Sequence, residues 1–240
     1  MTKQLFGAFI FLSLFSAVQA QELPNKNQAQ NQETVVLLHG LGRSNLAMWR
    51  LAKHLENANY KVVRIGYQSI GSTLPEVITD ITDQINDCCL SAQYPVHFVG
   101  HSLGGLLIRA YLQNQQPEQL ANVVLIGTPN QGTTVANWLG NKDWVEFVLP
   151  MAKELSTDKD SFPNSLQAPY YPVGVIAGVA DYDNDKYLPG RDDGMVTVES
   201  TKLENMQDFI EVQTGHSMMR YNHEVAQQTI HFLQHQQFSH

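Results

Sequence analysis

The chain has 240 residues, 43% of them hydrophobic, which is enough for one large core and typical of a single α/β domain. Its formal net charge at pH 7 is -8, and no part of the sequence is a run rich in Lys and Arg. This acidic balance argues against a nucleic-acid partner and against electrostatic docking on an anionic membrane. Evidence of function therefore has to come from local motifs.

Residues 1–20 have the composition of a signal peptide. Lys3 gives a positive start, residues 5–18 are apolar, and small residues stand at Val18 and Ala20. We expect cleavage after Ala20 and a periplasmic or secreted mature chain. The alternative, an uncleaved membrane anchor, is disfavoured because the apolar stretch is shorter than the ~20 residues of a spanning helix. The mature chain is thus expected to have no stable membrane span.

Residues 21–33 are rich in Gln and Asn and are expected to form a flexible leader. One domain is predicted over residues 34–240, and its first apolar run, residues 35–38, suits a central parallel strand buried on both faces. Further strands are predicted at residues 61–65, 96–99, 123–126, 173–177 and 209–212. Helices are predicted at residues 47–57, 74–88, 103–113 and 222–234. This alternation predicts an α/β fold with a mostly parallel sheet covered by helices on both faces.

The alternation weakens over residues 131–165, where Trp138, Phe147 and Met151 belong to short apolar clusters between polar segments. This connection is either a small helical cap over the site or an ordinary crossing helix with surface loops. The apolar clusters favour an acyl or aromatic leaving group over a highly charged substrate.

A serine at a strand-to-helix corner is the centre of the predicted chemistry. The segment Gly100-His101-Ser102-Leu103-Gly104 has the G-x-S-x-G pattern of a nucleophile elbow. Such a turn holds the serine in a strained conformation with its hydroxyl exposed, and the glycines avoid collisions with the adjacent strand and helix. The alternative is an ordinary serine in a glycine-rich turn.

A nucleophilic serine needs an acid and a base, which in this arrangement follow it in the order Asp or Glu, then His. The preferred acid is Asp193, which directly precedes Gly194, and the neighbouring Asp192 stays open as an alternative. The preferred base is His216, between the last predicted strand and the last helix. Its competitor His223 falls inside that helix or at its start.

Negative charge that develops on a substrate carbonyl needs hydrogen-bond donors. The backbone N–H groups of Leu103, directly after the nucleophile, and of Leu41, in the loop after the first strand, are expected to supply them. His39 is expected to brace that loop rather than to act as a base.

Together these motifs resemble the α/β-hydrolase superfamily, close to small bacterial lipases and esterases, over about residues 34–238. The segments that carry the resemblance are His39-Gly40-Leu41, Gly100 to Gly105, Gly127 to Gly132, Asp193 to Val196, and His216. The resemblance implies an α/β-hydrolase fold, and it implies that the Gly127 turn forms a substrate-side wall near the nucleophile. Gly40, His101 and Pro129 are accordingly expected to bind the substrate.

The predicted function is hydrolysis of a small-molecule or lipid carboxylic ester through an acyl-enzyme on Ser102, without a cofactor. The alternatives are an acyltransferase with the same three side chains and a non-catalytic binding protein on this fold. The oligomeric state is left open.

Two clusters resemble metal sites, and no metal is predicted at either. Asp181, Asp183 and Asp185 form a D-x-D-x-D run that lacks the glycine and the final glutamate of a helix-loop-helix calcium loop. His231 and His235 are four residues apart on the last helix, but no third ligand is close in sequence. A solvated acidic loop and a solvated helix face are the expected outcomes.

The two cysteines, Cys88 and Cys89, are adjacent in sequence. They are expected either to form a local disulfide ring or to stay as two thiols, with no catalytic role in either state.

Overall fold

The computed structural model describes residues 32–140, 150–180 and 188–240. Its centre is a sheet of six parallel strands in the order β2-β1-β3-β4-β5-β6. These strands are β1 (Thr34–Leu38), β2 (Lys61–Ile65), β3 (Val96–His101), β4 (Leu120–Ile126), β5 (Val173–Val179) and β6 (Asp208–Gln213). The predicted parallel α/β sheet is confirmed. The predicted signal peptide and nearly all of the predicted leader lie outside the described residues.

Helices connect the strands. The α-helices of the described ranges are α1 (Trp49–Asn57), α2 (Leu74–Cys89), α3 (Leu103–Asn114), α4 (Thr134–Gly140), α5 (Pro150–Glu154), α6 (Phe162–Ser165), α7 (Val198–Thr201) and α8 (His223–His235). Within the same ranges, 3-10 helices cover Asn45–Met48 and His216–Tyr221. None of the described helices is long and apolar enough to cross a membrane.

The two largest hydrophobic clusters of the described residues cover opposite faces of the sheet. Successive residues along a strand point to opposite faces. Val36 and Leu38 of β1 therefore share a core with residues of α2 and α3, whereas Val35 and Leu37 share one with residues of α1 and α8. Burial on both faces explains why β1 is apolar at successive positions. It also leaves the strand ends as the places where polar chemistry is accessible.

Strand β3 is longer than the apolar pattern predicts. The prediction ends at Val99, whereas the strand continues through Gly100 to His101 and pairs in parallel with β4. A glycine and a histidine interrupt the apolar run without interrupting the backbone pairing. The extension brings the chain to the carboxyl edge of the sheet, where Ser102 follows.

The irregular connection at residues 131–165 contains α4, α5 and α6, and α5 packs against α4. Met151 and Leu155 are buried in the same core as α2 and α3. Phe147 and the neighbouring apolar residues of the predicted cluster lie outside the described residues. The described part of this connection is thus tied to the main core.

Cys88 and Cys89 form a disulfide with each other at the C-terminal end of α2. Of the two states that the sequence leaves open, the local ring is the one present. The bond joins sequence neighbours, so it closes no long loop.

Candidate active site

Ser102 stands on the sharp corner between β3 and α3. Its φ of 57° and ψ of -126° lie outside the regions that a serine ordinarily adopts. A Cβ at Gly100 would come within 2.5 Å of Gly105, and one at Gly104 would come within 2.4 Å of the Leu38 carbonyl oxygen. Only glycine fits at these two positions, so the corner depends on the spacing seen in the sequence.

Ser102, His216 and Asp193 form one hydrogen-bonded line. His216 Nδ1 lies 2.7 Å from Asp193 Oδ2, and His216 Nε2 lies 2.9 Å from Ser102 Oγ. A carboxylate can only accept a hydrogen bond, so Nδ1 must carry the proton and donate it. Nε2 is then free to accept from the serine hydroxyl. The arrangement is able to take a proton from Ser102.

Asp193 is the carboxylate that contacts His216, and Asp192 is not. The Asp193 side chain is 1% exposed, and its Oδ1 accepts from the backbone N–H groups of Met195 and Val196. The Asp192 carboxylate instead accepts from the Gly194 N–H at 2.6 Å. The backbone thus fixes Asp193 with its second oxygen turned toward the imidazole.

His223 lies away from this line. It is the first residue of α8, and its ring is 5.2 Å from that of His54. His216 is instead the first residue of a 3-10 helix, where its backbone N–H donates to the Asp193 carbonyl at 2.8 Å. The acid and the base are therefore joined through both side chain and backbone.

Two glycines, Gly127 and Gly178, make room for the acid and the base. A Cβ at Gly127 would lie 3.2 Å from Asp193 Oδ2 and 3.3 Å from His216 Nδ1. A Cβ at Gly178, near the end of β5, would lie 2.8 Å from Asp193 Cβ. The Gly-Thr-Pro turn draws attention to Gly127, but no sequence signal points to Gly178.

The oxyanion loop is braced by aromatic rings. His39 Nδ1 donates to the Gly40 carbonyl at 2.9 Å, and its ring stacks on that of Tyr67 with centroids 3.9 Å apart. The Tyr67 hydroxyl donates to the His39 carbonyl. Burial raises the pKa of Tyr67 and lowers that of His39, so both rings stay neutral. His39 braces the loop.

The two predicted oxyanion donors are backbone N–H groups, one of Leu41, which lines a cavity together with Ser102, and one of Leu103, which directly follows Ser102. The C=O and N–H of a trans peptide point in opposite directions. Because the Gly40 carbonyl points toward the His39 ring, the Leu41 N–H points away from that ring. Leu103 is the first residue of α3, where backbone N–H groups lack helical partners and the helix dipole favours negative charge.

His101 holds the backbone of His216 in place. Its Nε2 lies 2.9 Å from the His216 carbonyl oxygen, and since a carbonyl only accepts, Nε2 carries the proton. Burial, reinforced by the nearby His216, lowers the pKa of His101 well below that of a free imidazole. His101 lines the cavity described below, but its ring proton is already committed to His216.

This buried imidazole predicts a pH dependence of stability. In the unfolded chain His101 binds a proton as the pH falls through about 6.5, whereas the folded chain keeps the ring neutral. The unfolded state then binds more protons, so the free energy of unfolding falls by up to about 1.4 kcal/mol per pH unit below that value. Above about pH 6.5 the ring is neutral in both states, so burial of His101 no longer lowers the free energy of unfolding.

Urea denaturation at about pH 7 and about pH 5 measures the effect, with His101→Gln as the comparison because glutamine also offers an N–H donor. The parent is expected to lose more stability than the variant on acidification. Equal losses in the two proteins would contradict the assignment of a neutral, buried His101.

A cavity of about 280 Å³ opens beside Ser102. The residues that line it are Gly40, Leu41, Gly42, Arg43, His101, Ser102, Pro129, Thr133, Ala152, Leu155, Met195, Val196, His216, Ser217 and Arg220. Gly40, His101 and Pro129, the predicted substrate contacts, are all among them. Apolar side chains from α5 and from the loop after Asp193 form one part of the wall. No sequence motif points to Arg43 or Arg220.

The described residues contain no group of three or more His, Cys, Asp or Glu side chains that could hold a metal ion. His231 and His235 do lie side by side, with ring centroids 4.6 Å apart, and His231 Nδ1 donates to the Gln237 carbonyl. The run Asp181, Asp183 and Asp185 lies outside the described residues.

A serine on a strand-to-helix corner of a parallel sheet, with an imidazole and a carboxylate aligned behind it, defines a hydrolase of the α/β-hydrolase superfamily. The model of the palmitoyl protein thioesterase family matches residues 34–187, which is more than half of the chain. The chain belongs to this family. No curated protein sequence matches the chain significantly.

Several solved structures share the fold. Phospholipase PlaB from Legionella pneumophila is 16% identical with a TM-score of 0.56, over 71% of this chain and 44% of that protein. The mature lipase BlEst2 from Bacillus licheniformis is 17% identical with a TM-score of 0.56, over 82% and 88%. A lipase-esterase related protein from Clostridium acetobutylicum is 17% identical with a TM-score of 0.54, over 85% and 94%. This chain thus spans less than half of the length of the phospholipase. At these low identities, the similarity to all three structures shows a shared fold and nothing more.

Proposed function

We propose that the protein cleaves carboxylic esters, with an oxygen or a sulfur leaving atom, through an acyl-enzyme on Ser102. The observation that carries the proposal is the hydrogen-bonded line from Asp193 through His216 to Ser102 at the wall of a cavity. Membership of a thioesterase family and the lipase-like fold support the same reaction class. A thioester and an oxygen ester pass through the same acyl-enzyme, so both are included.

In the first half of the reaction Ser102 Oγ attacks the substrate carbonyl while His216 Nε2 takes its proton. The negative charge that forms on the carbonyl oxygen is held by the N–H groups of Leu41 and Leu103. Collapse of this intermediate breaks the bond to the leaving atom, to which His216 returns the proton. Asp193 orients the imidazole and stabilises its positive charge throughout.

Water completes the cycle by attacking the acyl-enzyme carbonyl. His216 takes a proton from the water and returns it to Ser102 Oγ, which releases the carboxylic acid and restores the enzyme. An alcohol in place of water would make the enzyme an acyltransferase, the alternative use of the same three side chains. Product analysis in the presence of added glycerol distinguishes the two outcomes.

The apolar part of the cavity wall supports a substrate whose acyl chain is of moderate length. Leu155 and Ala152 of the α5 region share the lining with Met195 and Val196, and a cavity of about 280 Å³ is small beside pockets that hold large ligands. Each methylene that enters such a site contributes about 0.8 kcal/mol of apolar burial.

A panel of nitrophenyl esters from acetate to palmitate, with thioesters of matched acyl chains, tests this. We expect kcat/KM to rise about 3- to 4-fold per methylene over the first few carbons, in line with that burial energy, and then to level off once the cavity is full. A profile without any dependence on chain length would contradict the apolar acyl site. Hydrolysis of none of the esters would contradict the proposed function.

We also propose that the mature protein is exported. The N-terminal pattern around Lys3 and Ala20 supports cleavage and export, and the disulfide between Cys88 and Cys89 is typical of an oxidising compartment. Fractionation of cells that express the full chain, with mass spectrometry of the mature N-terminus, tests both statements. Intact residues 1–20 on a cytoplasmic product would contradict them.

A further inference from the structure

We infer that the cavity beside Ser102 binds esters whose leaving alcohol carries an anion, a phosphate or a carboxylate, which Arg220 and Arg43 recognise. The inference rests on the proposed function and adds a substrate class to it. The whole chain has a formal charge of -8, yet the charged side chains among the described residues lining this cavity are two arginines and no carboxylate.

Of the two arginines, Arg220 gives the stronger support for an anion site. The residue is only 8% exposed, and its Nε and Nη1 atoms are buried without a hydrogen-bond partner. Within the described ranges, no carboxylate lies at ion-pair distance from its guanidinium. Buried N–H groups of a cation that lack hydrogen-bond partners are costly, and native structures seldom keep them without a function. An anion in the cavity would supply the missing partner.

The position of the Arg220 guanidinium is fixed by its surroundings. Its central carbon lies 4.7 Å from the centre of the Tyr221 ring, a cation-π distance. The charge of Arg220 also contributes to the low pKa of His101, as does that of Arg43. Both cations therefore act electrostatically on the same buried imidazole next to His216. Arg43 is exposed and follows the oxyanion loop, so it stands at the rim of the cavity.

Arg220 lies on the side of the leaving group. His216 Nε2 must return its proton to the leaving atom, so the leaving group has to lie against the His216 imidazole. Arg220 belongs to the 3-10 helix that begins at His216, and Ser217 of that helix also lines the cavity. The apolar lining from Leu155 and Val196 remains for the acyl chain. An anion on the alcohol therefore meets Arg220, whereas one on the acyl chain would meet apolar side chains.

Three esters with one acyl chain test the inference: hexanoylglycerol, which is neutral, hexanoylglycerol phosphate, and the hexanoyl ester of glyceric acid. A charge-assisted hydrogen bond contributes about 1.5–3 kcal/mol, which corresponds to about a 10- to 150-fold difference in kcat/KM. We expect at least one anionic ester to exceed the neutral ester by about 10-fold or more. The anionic ester with the larger ratio of kcat/KM to that of the neutral ester shows whether the site prefers a phosphate or a carboxylate.

Arg220→Gln is expected to bring that ratio close to 1, whereas Arg220→Lys, which keeps the charge, retains part of it. Arg64→Gln is the matched control because Arg64 is an exposed cation on β2, outside the cavity lining, and it should leave the ratio unchanged. A ratio near 1 in the parent, or a ratio that survives Arg220→Gln, would overturn the inference.

Inhibition of the parent keeps the test independent of whether Arg220→Gln folds. Glycerol 3-phosphate should inhibit hydrolysis of the neutral ester competitively and more strongly than glycerol, and added salt should weaken this inhibition. Equal inhibition by the two compounds would contradict the inference. If the neutral ester is hydrolysed at a normal rate while the ratio is 1, only this inference fails. If no ester is hydrolysed, the proposed function fails.

Discussion

Replacing Ser102 by alanine is expected to lower kcat for ester hydrolysis by about four to six orders of magnitude. The reason is that no other nucleophile of the described site stands within hydrogen-bond distance of His216 Nε2, which lies 2.9 Å from Ser102 Oγ. Folding should be retained, because the serine hydroxyl makes no other hydrogen bond among the described residues and alanine is the smaller side chain. Steady-state kinetics with a short-chain nitrophenyl ester, alongside a thermal melt, measure both quantities.

The matched control is Ser217→Ala. Ser217 lines the same cavity and follows His216 directly, but it makes no hydrogen bond to the imidazole in the described structure. This variant should keep kcat within a few-fold of the parent. Parental turnover by Ser102→Ala, or an equally large loss in Ser217→Ala, would show that the nucleophile is assigned wrongly.

Asp193→Asn is expected to lower kcat by about 10⁴-fold with little change in KM. Because the Met195 and Val196 N–H groups donate to Asp193 Oδ1, the asparagine oxygen would keep that place and its NH2 group, which cannot accept the Nδ1 proton, would face His216. The imidazole would then favour the tautomer with its proton on Nε2, which cannot accept from Ser102. The positive charge that forms on His216 would also lose its counter-ion, which is 1% exposed and therefore poorly replaced by water.

Asp192→Asn separates this effect from a general change in the loop. Asp192 is also buried, and its carboxylate accepts from the Gly194 N–H, a bond that the asparagine oxygen can still accept. The variant should retain most of the parental kcat. Comparable losses in the two variants would mean that the loop geometry, rather than the Asp193 carboxylate, limits the reaction.

Much of the sheet could be predicted because its central strands are buried on both faces. Strand β2 is predicted at residues 61–65 and found at Lys61–Ile65, and helix α3 extends the predicted range by one residue. The predicted and observed boundaries differ more where an element's end is set by pairing with a neighbouring strand rather than by the local pattern of apolar residues. Strand β4 begins at Leu120, three residues before the apolar run predicts, because its first residues pair with the start of β3.

The same distinction applies to the candidate site. Ser102, Asp193 and His216 each follow a strand in the sequence, and they meet because the carboxyl ends of parallel strands share one edge. Gly178 could not be found in this way, since its role depends on how closely β5 approaches the loop after it. Arg220 could not be found for a similar reason. An arginine four residues after a histidine is an ordinary sequence feature, and it draws attention only because its buried Nε and Nη1 atoms lack a hydrogen-bond partner among the described residues.

Ser102 is tested most directly as the nucleophile by labelling the folded protein with a fluorophosphonate and locating the adduct by mass spectrometry. A phosphonate ester forms only on a serine whose hydroxyl is activated by a base beside an oxyanion site. We expect one adduct, on the peptide that contains Ser102, formed at a rate that Asp193→Asn lowers and absent from Ser102→Ala. An adduct on another serine, or full esterase activity in a protein that takes up no label, would contradict this assignment.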